Sequence, residues 1–190
     1  MEFNIAYLCL QATREGQASH AHVHEIINGL RKCKCHITLF EPSYAKDFSK
    51  PRWYRKLFSF IILQLNLCHL IDRFNLLYVR MHPFAFLSII LSKIYKIPLI
   101  IEVNGIMEEL YFSFPYLRIF FPLYKYLYII ILKRADAIIV VTPQLKDYYS
   151  RFIPNIKYYI IPNAANHEIF NPLAKSSFNF SFDYVFFLVL

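Results

Sequence analysis

A glutamate inside an apolar run is the first residue that asks for a chemical explanation. In IPLIIEVNG, Glu102 sits among aliphatic side chains, Asn104 and Gly105 close the run, and Glu108 and Glu109 follow. A buried carboxylate without partners is costly, so Glu102 needs a cation, hydrogen-bond donors or a cleft. Arg80 ends an earlier run, LLYVR, and is an expected partner. Its planar guanidinium suits equally an acceptor hydroxyl, a carboxylate or a phosphate, and a purely structural Arg80–Glu102 ion pair is the plainer alternative. His20, His22 and His24 precede Glu25, and imidazoles beside a carboxylate can ligate zinc or manganese. Helical spacing argues against that use. His20 and His24 would share a face while His22 points away, so no metal site is expected.

Two further stretches bear on binding. Residues 11–20 follow the first expected strand at its carboxyl end, where open α/β sheets place ligands. Gly16 is the loop's one glycine and lets a backbone approach a ligand closely, while Arg14 can add charge-assisted hydrogen bonds to an anion. The segment KDFSKPRWYRKLFSF sets Arg52, Arg55 and Lys56 beside Trp53, Tyr54 and Phe58. Cations interleaved with rings suit an anionic bilayer surface. They also suit nucleic acid, which is not favoured here, and a solvated basic face is the plain alternative.

These residues must be held by a regular scaffold. Short β-branched or aromatic runs alternate with longer helical patterns, the signature of βαβ units and a parallel sheet covered on both faces. Strands are expected over residues 3–10, 36–40, 76–81, 98–103, 137–141, 157–161 and 183–190. Helices are expected over 22–34, 51–74, 84–95 and 116–134, with another opening at Pro143. With 190 residues, 57% of them hydrophobic, the chain can bury a core without metal or disulfide staples. It carries 3 glycines against 19 phenylalanines and 15 tyrosines, and no P-loop or GxGxxG string. The mean hydropathy is +0.34, yet the apolar stretches are short or interrupted by Gln64, Arg118 and Pro122, so no membrane span is expected. The net charge of +8 favours anionic partners. Four cysteines form no CxxC pair and no basic n-region opens the chain, so a cytoplasmic protein with reduced thiols is expected.

Three stretches together resemble the N-terminal half of a family 4 glycosyltransferase, a class with two facing Rossmann-like domains in the GT-B arrangement. GQASHAHVHEIINGLRKCKCHITLF is similar to the family's loop, helix and second strand, with His22 at the family's histidine and Lys34-Cys35 in place of the usual Gly-His. LLYVRMHPFAFLSIILSKIYKIPLIIEVNGIMEEL is similar to members in which a strand ends in Arg and a later one ends at the interdomain cleft. ADAIIVVTPQLKDYYSRFIPNIKYYIIPNAANHEIFNP resembles the family's AD strand, helix and I-P-N-G segment. Asn163, Phe170 and Pro172 match, and Ala164 and Asn166 replace the usual Gly and Asp.

The resemblance implies an α/β Rossmann-like domain over residues 1–172, the N-terminal half of a GT-B fold. Residues 173–190 would be a linker and the first strand of a donor-binding domain that the chain does not complete. It implies the acceptor side of a retaining transferase that uses a nucleotide-sugar as donor substrate, with no cofactor, a glycan or lipid-linked acceptor, and no activity alone. Substrate contacts are expected at Gly16, His22, Arg80, Glu102, Asn104 and Gly105; the catalytic residues stay unassigned. A peripheral position on the inner face of the membrane, through Arg52, Trp53, Arg55 and Lys56, fits that role. Two rivals remain open: a membrane- or partner-binding subunit whose donor domain is a separate polypeptide, and a metal-dependent hydrolase built on the histidines.

Overall fold

Runs of aliphatic and aromatic residues four or five long form the strands, and the stretches between them form helices. The structure, a computed structural model, describes residues 3–15, 17–45, 51–109, 112 and 115–163. In chain order the elements are β1 (Asn4–Leu8), α1 (Ala18–Lys32), β2 (His36–Phe40), α2 (Trp53–Leu70), β3 (Leu76–Arg80), α3 (Phe86–Ile94), β4 (Leu99–Val103), α4 (Phe121–Leu132), β5 (Ala137–Val140), α5 (Pro143–Ser150) and β6 (Lys157–Ile160). Among the described residues they make one six-stranded sheet in the order β2-β1-β3-β4-β5-β6. Every pairing is parallel. The α/β Rossmann-like fold expected for the N-terminal half of a GT-B enzyme is the fold observed.

The two faces of the sheet are dressed differently. On one, Leu8, Val79, Ile101 and Val140 pack against Phe60 and Leu67 of α2, Ile89 of α3, Leu132 of α4 and Tyr149 of α5. On the other, Ile5, Tyr7, Cys9 and Tyr78 pack against Val23 and Ile27 of α1. Burying Val23 and Ile27 contributes roughly 1.5–3 kcal/mol each. Because side chains alternate along a strand, Tyr7, Tyr78 and Glu102 fall on the α1 face while their sequence neighbours enter the larger core. The chain leaves β1 toward β2 at one edge and returns to β3 on the other side of β1. The carboxyl ends of β1 and β3 therefore flank the crevice where the strand order reverses, the position at which open parallel sheets bind ligands.

Several boundaries differ from the sequence reading. Helix α1 begins at Ala18, not residue 22, so all three histidines lie inside it. The long helix expected over residues 116–134 is instead a 3₁₀ segment, Pro115–Phe120, followed by α4. Pro122 is the reason. It has no N–H to donate and clashes with a preceding helical turn, so it serves as a start and not an interior position. Pro143 opens α5 as expected, and Thr142 caps it by accepting from Leu145 N at 3.2 Å.

Scarce glycine shows at two helix ends. After α1, Lys34 adopts φ 63°, Cys35 N donates to Leu30 O at 3.2 Å and Lys34 N to Arg31 O at 2.9 Å. After α3, Lys96 adopts φ 55° and Ile97 N donates to Ser92 O at 2.8 Å. Both are helix stops whose left-handed position glycine usually fills, here held by lysine. The four cysteines make no disulfide.

Candidate functional site

Glu102 is the hub. It is 1% exposed, and both oxygens are engaged by groups from separate elements. Tyr7 Oη of β1 and Tyr78 Oη of β3 donate to Oε2 at 3.2 and 2.8 Å. His22 Nε2 of α1 lies 2.6 Å from Oε1, and Asn104 Nδ2 donates to the same oxygen at 2.5 Å. Burial pushes the Glu102 carboxyl up, but the hydrogen bonds from His22 and Asn104, the His22 charge and the Tyr78 bond outweigh it and hold the group below its ordinary value. Glu102 is thus an ionised acceptor, and the proton in the short bond to it sits on His22 Nε2. Burial first, then the Glu102 charge, drives the Tyr7 and Tyr78 hydroxyls far up, so both stay protonated donors. Their rings meet edge to face at 4.7 Å. With four hydrogen bonds already accepted, the carboxylate is built to organise its neighbours rather than to take a proton from a substrate.

Arg80 is not the partner that completes Glu102. The two are paired in register across β3 and β4, yet the carboxylate is bonded to His22, Asn104 and the two tyrosines. Arg80 Nη1 is buried with no hydrogen-bond partner, as is Asn104 Oδ1. The guanidinium instead lines an open cleft of about 580 Å³ at the carboxyl ends of β1 and β3, with Gln11, Arg14, Tyr44, Lys56 and His82 among the other lining residues. Burial alone lowers His82 to about 4, so its ring is neutral near pH 7. Its Nδ1 accepts from Phe84 N at 3.3 Å, which leaves the ring proton on Nε2.

The loop after β4 is tied to α5. Tyr149 Oη donates to Gly105 O at 2.7 Å, and Tyr148 Oη donates to Glu108 Oε2. A side chain at Gly105 would run into the Glu109 carboxylate. Across the cleft, Gln64 of α2 is fully used: Oε1 accepts from Ser88 N and Oγ, both at 3.1 Å, and Nε2 donates to Phe84 O at 2.9 Å. That amide fixes α2 against the segment that carries His82 and Phe84.

Of the expected contacts, His22, Glu102 and Asn104 form one hydrogen-bonded cluster, Gly105 lies directly after it, and Arg80 lies beside it on the cleft wall. Gly16 falls outside the described residues, as do Ala164, Asn166, Phe170, Pro172 and 173–190. The rings of His20 and His24 lie 4.0 Å apart, tilted by 35°, while His22 turns to Glu102; no metal-holding group of three His, Cys, Asp or Glu occurs among the described residues. Tyr7 and Tyr78 have no role in the sequence reading, and Gln64 enters it only as an interruption of an apolar stretch. The available signal was a phenol in each of two apolar strands, since a buried tyrosine hydroxyl needs a partner.

The family model for glycosyltransferase family 4 matches residues 19–169. No curated protein matches the chain. Among solved structures, the chain is similar to Anabaena HepE crystallised with UDP and glucose: 13% identity, TM-score 0.53, 88% of this chain and 46% of that one. A second HepE structure, with UDP-glucose, gives 14% identity and a TM-score of 0.50 over 88% of this chain and 45% of that one. A sucrose-phosphate synthase structure from Thermosynechococcus elongatus shares 13% identity and a TM-score of 0.54 over 88% of this chain and 92% of that chain. At such identities the likeness is one of fold, and the chain spans under half the length of the HepE chains.

Proposed function

The chain belongs to glycosyltransferase family 4, and from that premise we propose that it forms the acceptor side of a retaining transferase that moves a sugar from a nucleotide-sugar to a glycan or lipid-linked acceptor. The observation that carries this reading is the Glu102 cluster at the sheet's carboxyl edge, which ties β1, β3, β4 and α1 together beside the switch-point cleft. HepE, which shares the fold, is crystallised with UDP-glucose, and a nucleotide diphosphosugar is the donor assigned here. The donor lies against a second domain, and cationic groups and helix dipoles stabilise the departing diphosphate. This domain contributes position: it holds the acceptor hydroxyl against the anomeric carbon, so that the new glycosidic bond forms as the bond to the diphosphate breaks. His22 and Asn104, fixed by Glu102, are the residues assigned to hold that acceptor.

The donor-binding half is supplied by a second domain or a separate polypeptide, and the 190-residue chain is inactive without it. In this reading the chain sits at the inner face of a membrane, and the surface of α2 supports the membrane contact. No described helix is long and apolar enough to cross a bilayer, but α2 leaves Trp53 73%, Phe58 66%, Ile61 50% and Leu65 52% exposed, with Arg52, Arg55 and Lys56 at its start and no acidic residue within it. Rings and cations so arranged suit an anionic lipid surface. The test is sugar transfer from labelled nucleotide-sugars into membrane-lipid and glycan extracts, with the donor-binding half present. Transfer by the isolated chain would overturn its assignment as one half of the enzyme.

A further inference from the structure

We infer that the acceptor carries a phosphate group and that this group seats in the cleft between β1 and β3, with Arg80 as its principal cation. The inference rests on the transferase reading for the acceptor's role and adds the acceptor's chemistry. Arg14, Lys56 and Arg80 line the cleft, and none of the described residues lining it is acidic. The carboxylate nearest in register to Arg80 is saturated by four other groups, Arg80 makes no ion pair among the described residues, and its Nη1 has no hydrogen-bond partner. A guanidinium left without a counter-charge at the wall of an open cleft is matched by an anionic ligand. Three cations lining one cleft, with no acid among the described lining residues, favour a multiply charged group over a single carboxylate. Neutral His82, with its proton on Nε2, adds a donor without adding charge.

The size and place of the cleft agree with this. Its volume of about 580 Å³ falls within the roughly 300–1,000 Å³ of small-ligand sites. Pro51, Lys56 and Phe60 form its α2 side, so the cleft opens beside the helix whose apolar face and basic start suit a lipid surface. A phosphate held at a membrane lipid and a phosphate on a soluble sugar share the chemistry that Arg80 recognises.

The test uses the intact chain with pyrophosphate as the probe, titrated calorimetrically at constant ionic strength. Wild-type chain should bind pyrophosphate, and Arg80→Gln should weaken binding roughly tenfold or more. Lys56→Gln alters an exposed helix residue that folding does not need and should weaken binding severalfold, which keeps the test decisive if Arg80→Gln fails to fold. Competition then separates the sources: displacement by glucose 1-phosphate marks a soluble acceptor, and displacement by polyprenyl phosphate in neutral phosphatidylcholine vesicles marks a lipid-linked one. Absence of pyrophosphate binding, binding unchanged in both variants, or displacement by UDP alone would overturn the inference. Pyrophosphate binding that survives while no sugar is transferred even with the donor-binding half present would count against the transferase reading and leave the anion site standing.

Discussion

His22 Nε2 stands 2.6 Å from Glu102 Oε1, joining α1 to β4 across 80 residues of sequence at the edge where the sheet meets its cleft. The contact makes the first turns of α1 part of the same unit as the ends of the central strands. Removing the carboxylate should therefore loosen more than one element. Glu102→Gln leaves Tyr7, Tyr78 and His22 competing for one weaker acceptor in a buried site, and should lower stability by about 2–3 kcal/mol, read as a fall in urea midpoint. An unchanged midpoint would show that the cluster is not held by the charge.

The same residue sets an acid limit. Glu102 is depressed in the folded protein, so its contribution is fully present above its unfolded pKa and is lost as pH falls through the folded value. His82 acts in the same direction at higher pH. Its folded pKa of about 4 lies below the ordinary 6.5, so the unfolded chain takes up the proton first and stability declines as pH drops from about 6.5 toward 4, by up to about 3 kcal/mol. His82→Phe should flatten that slope in anion-free buffer, as measured by denaturation at stepped pH. A slope unaltered by the substitution would place the titration elsewhere.

Lysine in a left-handed helix stop is strained, and glycine relieves the strain. Lys34→Gly and Lys96→Gly, at φ 63° and 55°, should each raise stability by about 0.5–1 kcal/mol, seen as higher melting temperatures. A loss at both sites would mean that lysine's restriction of the unfolded chain matters more than the native strain.

How much of this was readable in the sequence follows from distance along the chain. Glu102 announced itself because a charge inside an aliphatic strand has a local signature, and its strand, like the other described strands, was visible in short runs of aliphatic and aromatic residues. Its partners had no such signature. Tyr7 and His22 lie 95 and 80 residues away, and only the strand order brings them to one point. Arg80 is legible as a strand-ending cation with two readings, and the pairing with Glu102 is the one that fails, because register places it opposite Glu102 while the hydrogen bonds go to the α1 face. Gln64 read as an interruption of an apolar helix, whereas its burial is explained by carbonyl and amide groups of another segment. Pro122 carried its own signal, yet the apolar periodicity around it suggested one continuous helix.

Gln64 gives a further prediction. Gln64→Leu keeps the volume but strands Ser88 N and Phe84 O, and should cost about 1–3 kcal/mol while weakening pyrophosphate binding, since the α2 wall of the cleft is set by that amide. Retention of both properties would show that packing alone fixes α2.

The exposed face of α2 can be tested apart from the cleft by leaving Lys56 intact. Arg52→Glu, Trp53→Ala and Arg55→Glu combined should reduce co-sedimentation with vesicles rich in anionic lipid by roughly tenfold or more, since each basic residue near such a surface contributes about 1 kcal/mol. Undiminished sedimentation would remove this helix as the membrane-facing element.

The most direct test of the central claim is transfer itself. Residues 1–172 would be joined to the donor-binding half of a family 4 enzyme, checked for folding and UDP binding, and given labelled nucleotide-sugars with lipid and glycan acceptors. Labelled product should appear with the fusion and not with the chain alone, and His22→Ala in the fusion should cut the rate by roughly a hundredfold, the scale expected when a positioning contact is lost. A folded, UDP-binding fusion that transfers no sugar to any acceptor, or one indifferent to His22→Ala, would contradict the account.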